Sequence, residues 1–225
     1  MKNHVVSKKR VTDYGEVYTR AREVNAMLDL VKQETERIDS RFLEPACGTG
    51  NFLLEVLRRK LAVVASRYKR SQLEYERYAV LAVSSLYGID LLADNIETCR
   101  NRLFYLFDDN YRSLYQKKAK KECGKTVKYI LGRNIIQGDA LTFKTVEDNP
   151  QPIIFSEWSF VKGSMIKRRD FAFHQLIPQK KQRQMGLFSD VESQKSDLGG
   201  DVFIPEPVRD YPLIHFLRIA DAECR

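Results

Sequence analysis

Two glycines one residue apart, and three acids at the ends of apolar runs, are the residues of this chain best suited to hold a ligand. The segment Leu43-Glu44-Pro45-Ala46-Cys47-Gly48-Thr49-Gly50-Asn51-Phe52 joins a short apolar run to a helix-forming one. Gly48 and Gly50 let the backbone approach a ligand closely. A helix opening near Asn51 presents unpaired amides, which suit a carboxylate or a phosphate. Asp90 closes the next apolar run, Tyr87-Gly88-Ile89, and an acid at that place grips ribose hydroxyls in nucleotide-type sheets. Asp139 closes a third run, Asn134 to Gly138, where a carboxylate can accept an adenine exocyclic amine. A plain tight turn explains the glycines taken alone. A strand-end turn residue explains each acid taken alone. The three endings in this order favour a ligand.

The elements that must position these residues follow from periodicity. From Glu16 the apolar residues Val17, Val24, Met27, Leu28 and Val31 recur at helical steps, and the pattern fades near Arg37 to Ser40. Thr19 is the expected N-cap, its hydroxyl accepting an orphan amide. Arg41 to Pro45 reads as a buried strand stopped by proline. Helices are expected from Asn51, from about Ser71 to Leu86, and from Leu91 to about Tyr115. Tyr87 to Asp90, Asn134 to Ala140 and Pro152 to Trp158 read as further strands. Lys117 to Lys121 reads as a solvated helix face or loop. Strands alternating with helices imply βαβ units and a parallel sheet. Right-handed crossovers would bring the loops after the strands to one edge, where ligands of open sheets bind.

Composition sets the limits. The chain has 225 residues, 43% hydrophobic and 30% charged, which is a globular composition. Its formal charge of +8 excludes an acidic solvating protein and permits a polyanion partner. No apolar run is long enough to span a membrane, and the basic start lacks the apolar core of a signal peptide. The ending Ala-Asp-Ala-Glu-Cys-Arg fits no lipidation or retention signal. Cys47, Cys99, Cys123 and Cys224 form no CxxC pair and lie far from the three histidines, so neither a zinc site nor a disulfide framework is expected. These features point to a reducing, cytoplasmic location. Residues 1–15 are expected to form a basic arm, 16–175 the main domain, and 176–225 an irregular, linker-like extension with apolar patches at Val202 to Ile204 and Leu213 to Ile219 that dock on the domain.

The motifs together carry a resemblance. Leu43 to Phe52 resembles the S-adenosylmethionine loop of the N6-adenine DNA methyltransferases of restriction–modification systems. Gly15-Glu16-Val17-Tyr18-Thr19, followed by Arg22-Glu23-Val24 and Met27-Leu28, resembles the upstream segment that closes over the methionine part of the cofactor. Tyr87 to Asp90 and Asn134 to Ala140 resemble the ribose-binding and adenine-binding strands. The likeness covers residues 13–141. It implies a Rossmann-like α/β fold, a mostly parallel sheet with flanking helices, with S-adenosylmethionine as cofactor and DNA as partner. It also implies site roles. Thr19 would contact the methionine end, and Glu44, Ala46, Gly48 and Gly50 would line its path, with Phe52 nearby. Asp90 would hold the ribose and Asp139 the adenine amine.

The family's catalytic motif, an Asn, Asp or Ser followed by two prolines and an aromatic, is absent from this sequence. The fourth strand instead runs into Ser156-Glu157-Trp158-Ser159-Phe160, which makes Glu157 and Trp158 the candidates for the methyl-transfer position. Asp148-Asn149-Pro150-Gln151 is the alternative, placed before the strand. The basic groups Lys8 to Arg10, Arg58 to Lys60, Lys117 to Lys121, Lys167 to Arg169 and Lys180-Lys181, with Tyr68, Tyr75, Phe171 and Phe173 among them, are a pattern that can grip phosphates. The favoured reading is adenine methylation in DNA. The rival is a non-catalytic, cofactor-binding subunit that partners a larger methylase or nuclease. A methyltransferase acting on RNA, protein or a small molecule is a third reading. A nicotinamide enzyme fits least, because Leu53 stands where its third glycine belongs.

Overall fold

The computed structural model describes residues 19–176 and 205–224. The basic arm, the Gly15 to Tyr18 motif, the Lys180-Lys181 pair and the Val202 to Ile204 patch lie outside the described residues. Two short helices, α1 (Ala21–Leu30) and α2 (Lys32–Glu36), lead into strand β1 (Phe42–Glu44). Val24 and Leu28 turn α1 towards the core, whereas Met27 and Val31 of the expected stripe are exposed. Helix α3 (Asn51–Tyr68) then buries Leu53, Val56, Leu57, Leu61 and Val64 at three- and four-residue steps. Helix α4 (Gln72–Ser84) begins after Ser71, whose hydroxyl accepts the Glu74 amide at 3.4 Å. Strand β2 (Leu86–Asp90), helix α5 (Ala93–Tyr115), helix α6 (Lys121–Asn134) and strand β3 (Ile135–Gln137) complete the first half.

β1, β2 and β3 form a parallel sheet in that order, with Leu43 opposite Tyr87 and Gly88 opposite Ile135. The two faces of the sheet differ. Phe42, Leu86 and Ile135 join the main core with α3 to α6, while Tyr87 and Ile89 join a small aromatic cluster with Ile153, Phe155 and Phe173. The helices are bound to one another by a buried polar network. The fully buried Glu76 of α4 accepts from Tyr111 of α5, from Gln72 Nε2 at 2.8 Å, and from Lys120 Nζ at 2.7 Å. Pairing every member keeps such a network from being a liability.

The second half departs from the expected parallel sheet. β4 (Ile154–Lys162) does not join β1 to β3. It pairs antiparallel with β5 (Met165–Ala172) across the two-residue turn Gly163-Ser164. The short strands β6 (Arg209–Asp210) and β7 (Ile214–His215) pair with β5, making a second, antiparallel sheet. A four-residue helix, α7 (Phe173–Leu176), follows β5. A 3-10 helix, Phe216–Cys224, returns to the first half, where Phe216 and Ile219 are buried and the Phe216 carbonyl accepts from Thr126 Oγ1 at 2.8 Å. The described chain is thus a mixed α/β structure with a three-stranded parallel sheet, flanking helices and a hairpin-based sheet beside them.

Candidate functional site

The loop after β1 is bound on three sides. The Cys47 amide donates to the Ile89 carbonyl of β2 at 2.8 Å, and the Gly50 amide closes a turn on the Cys47 carbonyl at 2.8 Å. The Gly48 amide donates to Asp90 Oδ2 at 2.9 Å. From α5, Arg102 Nη1 donates to the Thr49 carbonyl at 2.7 Å, to its hydroxyl at 3.1 Å and to Asn51 Oδ1 at 2.8 Å. Gly48 and Gly50 have φ of +50° and +83°. A Cβ at Gly50 would lie 2.5 Å from Cys99 Sγ. Gly88 is a matter of clearance, since a Cβ there would lie 3.0 Å from both Cys47 Sγ and Leu53 Cδ1. Helix α3 therefore starts at a left-handed Gly50, and no side chain caps its first amides. Those amides are the orphan donors of a helix start.

The acids take different parts. Asp90 accepts from Gly48 at one oxygen, and from the Leu92 amide at 2.9 Å and Asn95 Nδ2 at 3.1 Å at the other. One free lone pair remains at Oδ2, enough for one further donor rather than a two-oxygen grip. Asp139 accepts the Leu141 amide at 2.9 Å and the Thr142 hydroxyl at 3.0 Å, and these donors hold its carboxyl below the usual range. The Gly138 amide donates to the Asp90 carbonyl at 3.0 Å, which sets both acids on one edge of the sheet. Glu44 contrasts with both. Its carboxyl has no hydrogen-bond or ion-pair partner among the described residues, and burial pushes it up to about 7. A half-buried, unpaired carboxyl beside uncapped amides is an arrangement that binding sites use.

The remaining expected residues are placed as follows. Ala46 is exposed in the loop, and Phe52 is half-buried against the main core. Thr19 does not cap α1. Arg20 holds the N-cap position, without a side-chain bond. Thr19 instead reaches the loop through its backbone, its carbonyl accepting Asn51 Nδ2 at 3.1 Å. Cys47 is buried beside Cys99, and that contact, with burial, pushes its thiol far up, which makes it unreactive. Arg102 and Asn95 were not legible in advance, because each lies within an ordinary helical pattern and acts on the loop only through the fold. Arg102→Met is expected to lower stability by about 1–2 kcal/mol and to speed amide exchange at residues 49–52, as read by hydrogen exchange. Unchanged exchange there would show that the clamp is unimportant.

Glu157 and Trp158 are not brought to the loop. A Cβ on Gly138 would touch Ile153 Cδ1, so the segment entering β4 lies at the edge that carries Asp139. Tyr87 Oη donates to the Ser156 carbonyl at 3.2 Å, and Glu157 pairs with Arg41, the residue before β1. β4 therefore runs opposite to the parallel strands and ends at their far edge. With a strand rise of about 3.3 Å per residue, Arg41 and Glu44 are separated by about 10 Å. The alternative segment, Asp148 to Gln151, belongs to the loop on the Asp139 edge, where the Thr145 amide donates to the Gln151 carbonyl at 2.8 Å. The orientation follows from the hairpin. Its other strand packs Ile166 into the main core with Phe216, and this holds the pair across the sheet face.

The charge pattern also resolves into internal contacts. Arg58 and Arg59 pair with Glu55, and Lys60 is fully buried. Lys167 pairs with Asp210, Arg168 with Asp170, and Arg169 with Glu157. Tyr75, Phe171 and Phe173 are buried, and Tyr68 stacks on Tyr78 at 3.9 Å. Of the described basic groups, Lys117, Lys118 and Lys121 remain as an exposed cluster without ion pairs. Among the described residues no helix is long and apolar enough to cross a membrane, and no group of three or more His, Cys, Asp or Glu is placed to hold a metal ion. No protein-family model, curated protein or solved structure matches the chain.

Proposed function

We propose that this chain binds S-adenosylmethionine at the β1 edge and acts in methyl transfer to adenine N6 in DNA, in a restriction or defence setting. One observation carries the cofactor part: an unpaired Glu44 carboxyl, uncapped α3 amides and Asp90 share one loop. A carboxylate and a set of free amides suit the two ends of an amino-acid group, the ammonium and the carboxylate. Asp90 has one lone pair left for a ribose hydroxyl, and Asp139 stands next to it on the same edge. When bound, S-adenosylmethionine supplies a sulfonium methyl for an amine nucleophile. The chain's own contribution is to orient and desolvate the two partners. Support for DNA as the acceptor is the motif resemblance, together with the Lys117 to Lys121 cluster.

A second reading is a cofactor-binding subunit that lacks turnover alone. The reversed course of β4 favours it, because Glu157 and Trp158 lie at the edge away from the loop. Calorimetric titration with S-adenosylmethionine tests the shared part, and methyl transfer to unmethylated DNA separates the two readings. Binding should be lost in Asp90→Ala.

The pH response is a sharper test. Glu44 ionises near pH 7, so the acceptor for an ammonium is gained as pH rises towards that value. Affinity should increase about tenfold from pH 5.5 to pH 7, below the titration of an α-amino group near 7.7–8.0. Glu44→Gln should bind more weakly and show no such rise. A Glu44→Gln chain with parental affinity and parental pH response would remove Glu44 from the site.

A further inference from the structure

A second concave site lies beside the free edge of β1. A cleft of about 540 Å³ is walled by Leu43, Tyr87, Phe155, Phe171 and Phe173. Its rim carries Arg41, Glu157 and Arg169. Glu157 bridges the two arginines, to Arg41 and to Arg169 Nη2 at 2.6 Å. Two guanidiniums against one carboxylate leave the rim with one positive charge in excess. Arg41 uses one of its five N–H donors in this contact, and its side chain is 63% exposed. A smaller cavity of about 270 Å³ adjoins the cleft and shares Arg41 and Tyr87 with it. Ser84, Ser85, Ser159 and Trp158 also line it. Trp158 is 6% exposed, yet its Nε1 has no hydrogen-bond partner. A buried N–H without an acceptor is rare in a folded chain and points to an acceptor still to come.

We propose that this cleft binds an organic monocarboxylate, with its apolar body between Leu43 and the phenylalanines and its carboxylate on Arg41. The size lies within the range of small-molecule pockets, and apolar walls with a few convergent donors are their usual make-up. A guanidinium favours a carboxylate because its parallel N–H groups match the two oxygens. A cationic head has no free carboxylate there, since Glu157 is shared by two arginines and Asp39, which lines the smaller cavity, lies 3.7 Å from Arg37 Nη2, and a neutral head offers no charge for Arg41. The site's anchor, Arg41, lies at the edge of the sheet away from the glycine loop, while the wall residue Leu43 directly precedes Glu44.

Trp158 is the chain's only tryptophan and lines the smaller cavity that shares Arg41 and Tyr87 with the cleft, so its fluorescence reports on the adjoining site. The full chain is titrated with decanoate, decanol and decyltrimethylammonium, and followed by Trp158 emission and by calorimetry. Decanoate should saturate, at least tenfold more tightly than either of the others. Arg41→Gln should weaken decanoate at least tenfold while Arg169 still holds Glu157. Leu43→Glu, at an exposed wall position, should abolish binding, and both variants should unfold at the parental denaturant midpoint. Arg41→Gln should keep the parental response to S-adenosylmethionine, which separates this site from the loop. Equal affinity for decanol and decanoate, no saturable signal, or parental affinity in both variants would overturn the proposal. So would a dimer in sedimentation that closes the cleft.

Discussion

Gly50→Ala should lower stability by about 3 kcal/mol and remove S-adenosylmethionine binding at any accessible concentration. Two costs combine at this position. Alanine must adopt the left-handed φ of +83°, which for a residue with a side chain costs about 1–2 kcal/mol. Its Cβ must also share space with Cys99 Sγ, 2.5 Å away, and overpacking of this kind costs about 1–3 kcal/mol. Domains have only about 5–15 kcal/mol in total. The chain relieves the overlap most simply by moving the loop, which carries away the first amides of α3. The contrast is Gly48→Ala, which meets nothing within 4 Å and bears the φ cost alone. Adding Cys99→Ala should recover part of the Gly50→Ala loss and none of the Gly48→Ala loss. Urea unfolding of six chains, the parent, the three single variants and the two doubles, reads all of this as two double-mutant cycles. A Gly50→Ala chain within 0.5 kcal/mol of the parent would contradict the geometry.

Lys60→Met should be the most damaging change far from the loop. Lys60 sits on α3 with its side chain fully buried. Its Nζ donates to the Ile38 carbonyl at 3.2 Å, to the Ser40 carbonyl and to Ser85 Oγ at 2.5 Å. These acceptors belong to the segments entering β1 and β2, so one amine ties both strand starts to the helix layer. Methionine fills the space but leaves two carbonyls without a donor, at about 1–3 kcal/mol each. A loss of about 2–4 kcal/mol is expected in urea unfolding at pH 7. Burial also pulls the Lys60 ammonium down to about 7, against about 10.4 in an unfolded chain. Below pH 7 both states hold the proton. Between pH 7 and about 10 only the unfolded state does, so stability rises with pH across that window. The parent should therefore gain on Lys60→Met as pH increases. A constant gap between the two chains from pH 6 to pH 9.5 would mean that the amine is not so perturbed.

Much of the first half was legible because its signals are local. Proline stops the run before the glycine loop, and helix formers resume at Asn51. Leu86 to Ile89 is buried as an apolar run should be, with Asp90 half-buried at its end. Helix α6 was hidden by the basic run before it and by Gly124 and Gly132 within it, both poor helix formers. The hairpin has a local signal of its own, Gly163-Ser164, a two-residue turn between the two strands. Read alone, the fourth strand is one more member of the parallel sheet. With its neighbour it becomes a ribbon, and the residues at its end move to the opposite edge. The basic clusters misled for a different reason. Glu55, three and four residues before Arg58 and Arg59 on one helix, and Asp170, two residues after Arg168 on one strand, are local counter-charges, whereas Asp210 and Glu157 reach Lys167 and Arg169 from other strands, and that pairing is visible only once the chain is folded.

Gly88 bears on how this chain would change over generations. It stands in the motif that reads as ribose-binding, yet what it meets is Cys47 and Leu53, not solvent. Even a methyl group there would press on Cys47 and Leu53, which would have to give by a few tenths of an ångström, whatever the loop holds. Descendants that lost every ligand would still retain glycine at this position for as long as they kept the sheet. An invariant glycine here would be a record of steric ancestry, and drift at Glu44, which nothing in the fold restrains, would be the earlier sign that a lineage had given up its ligand.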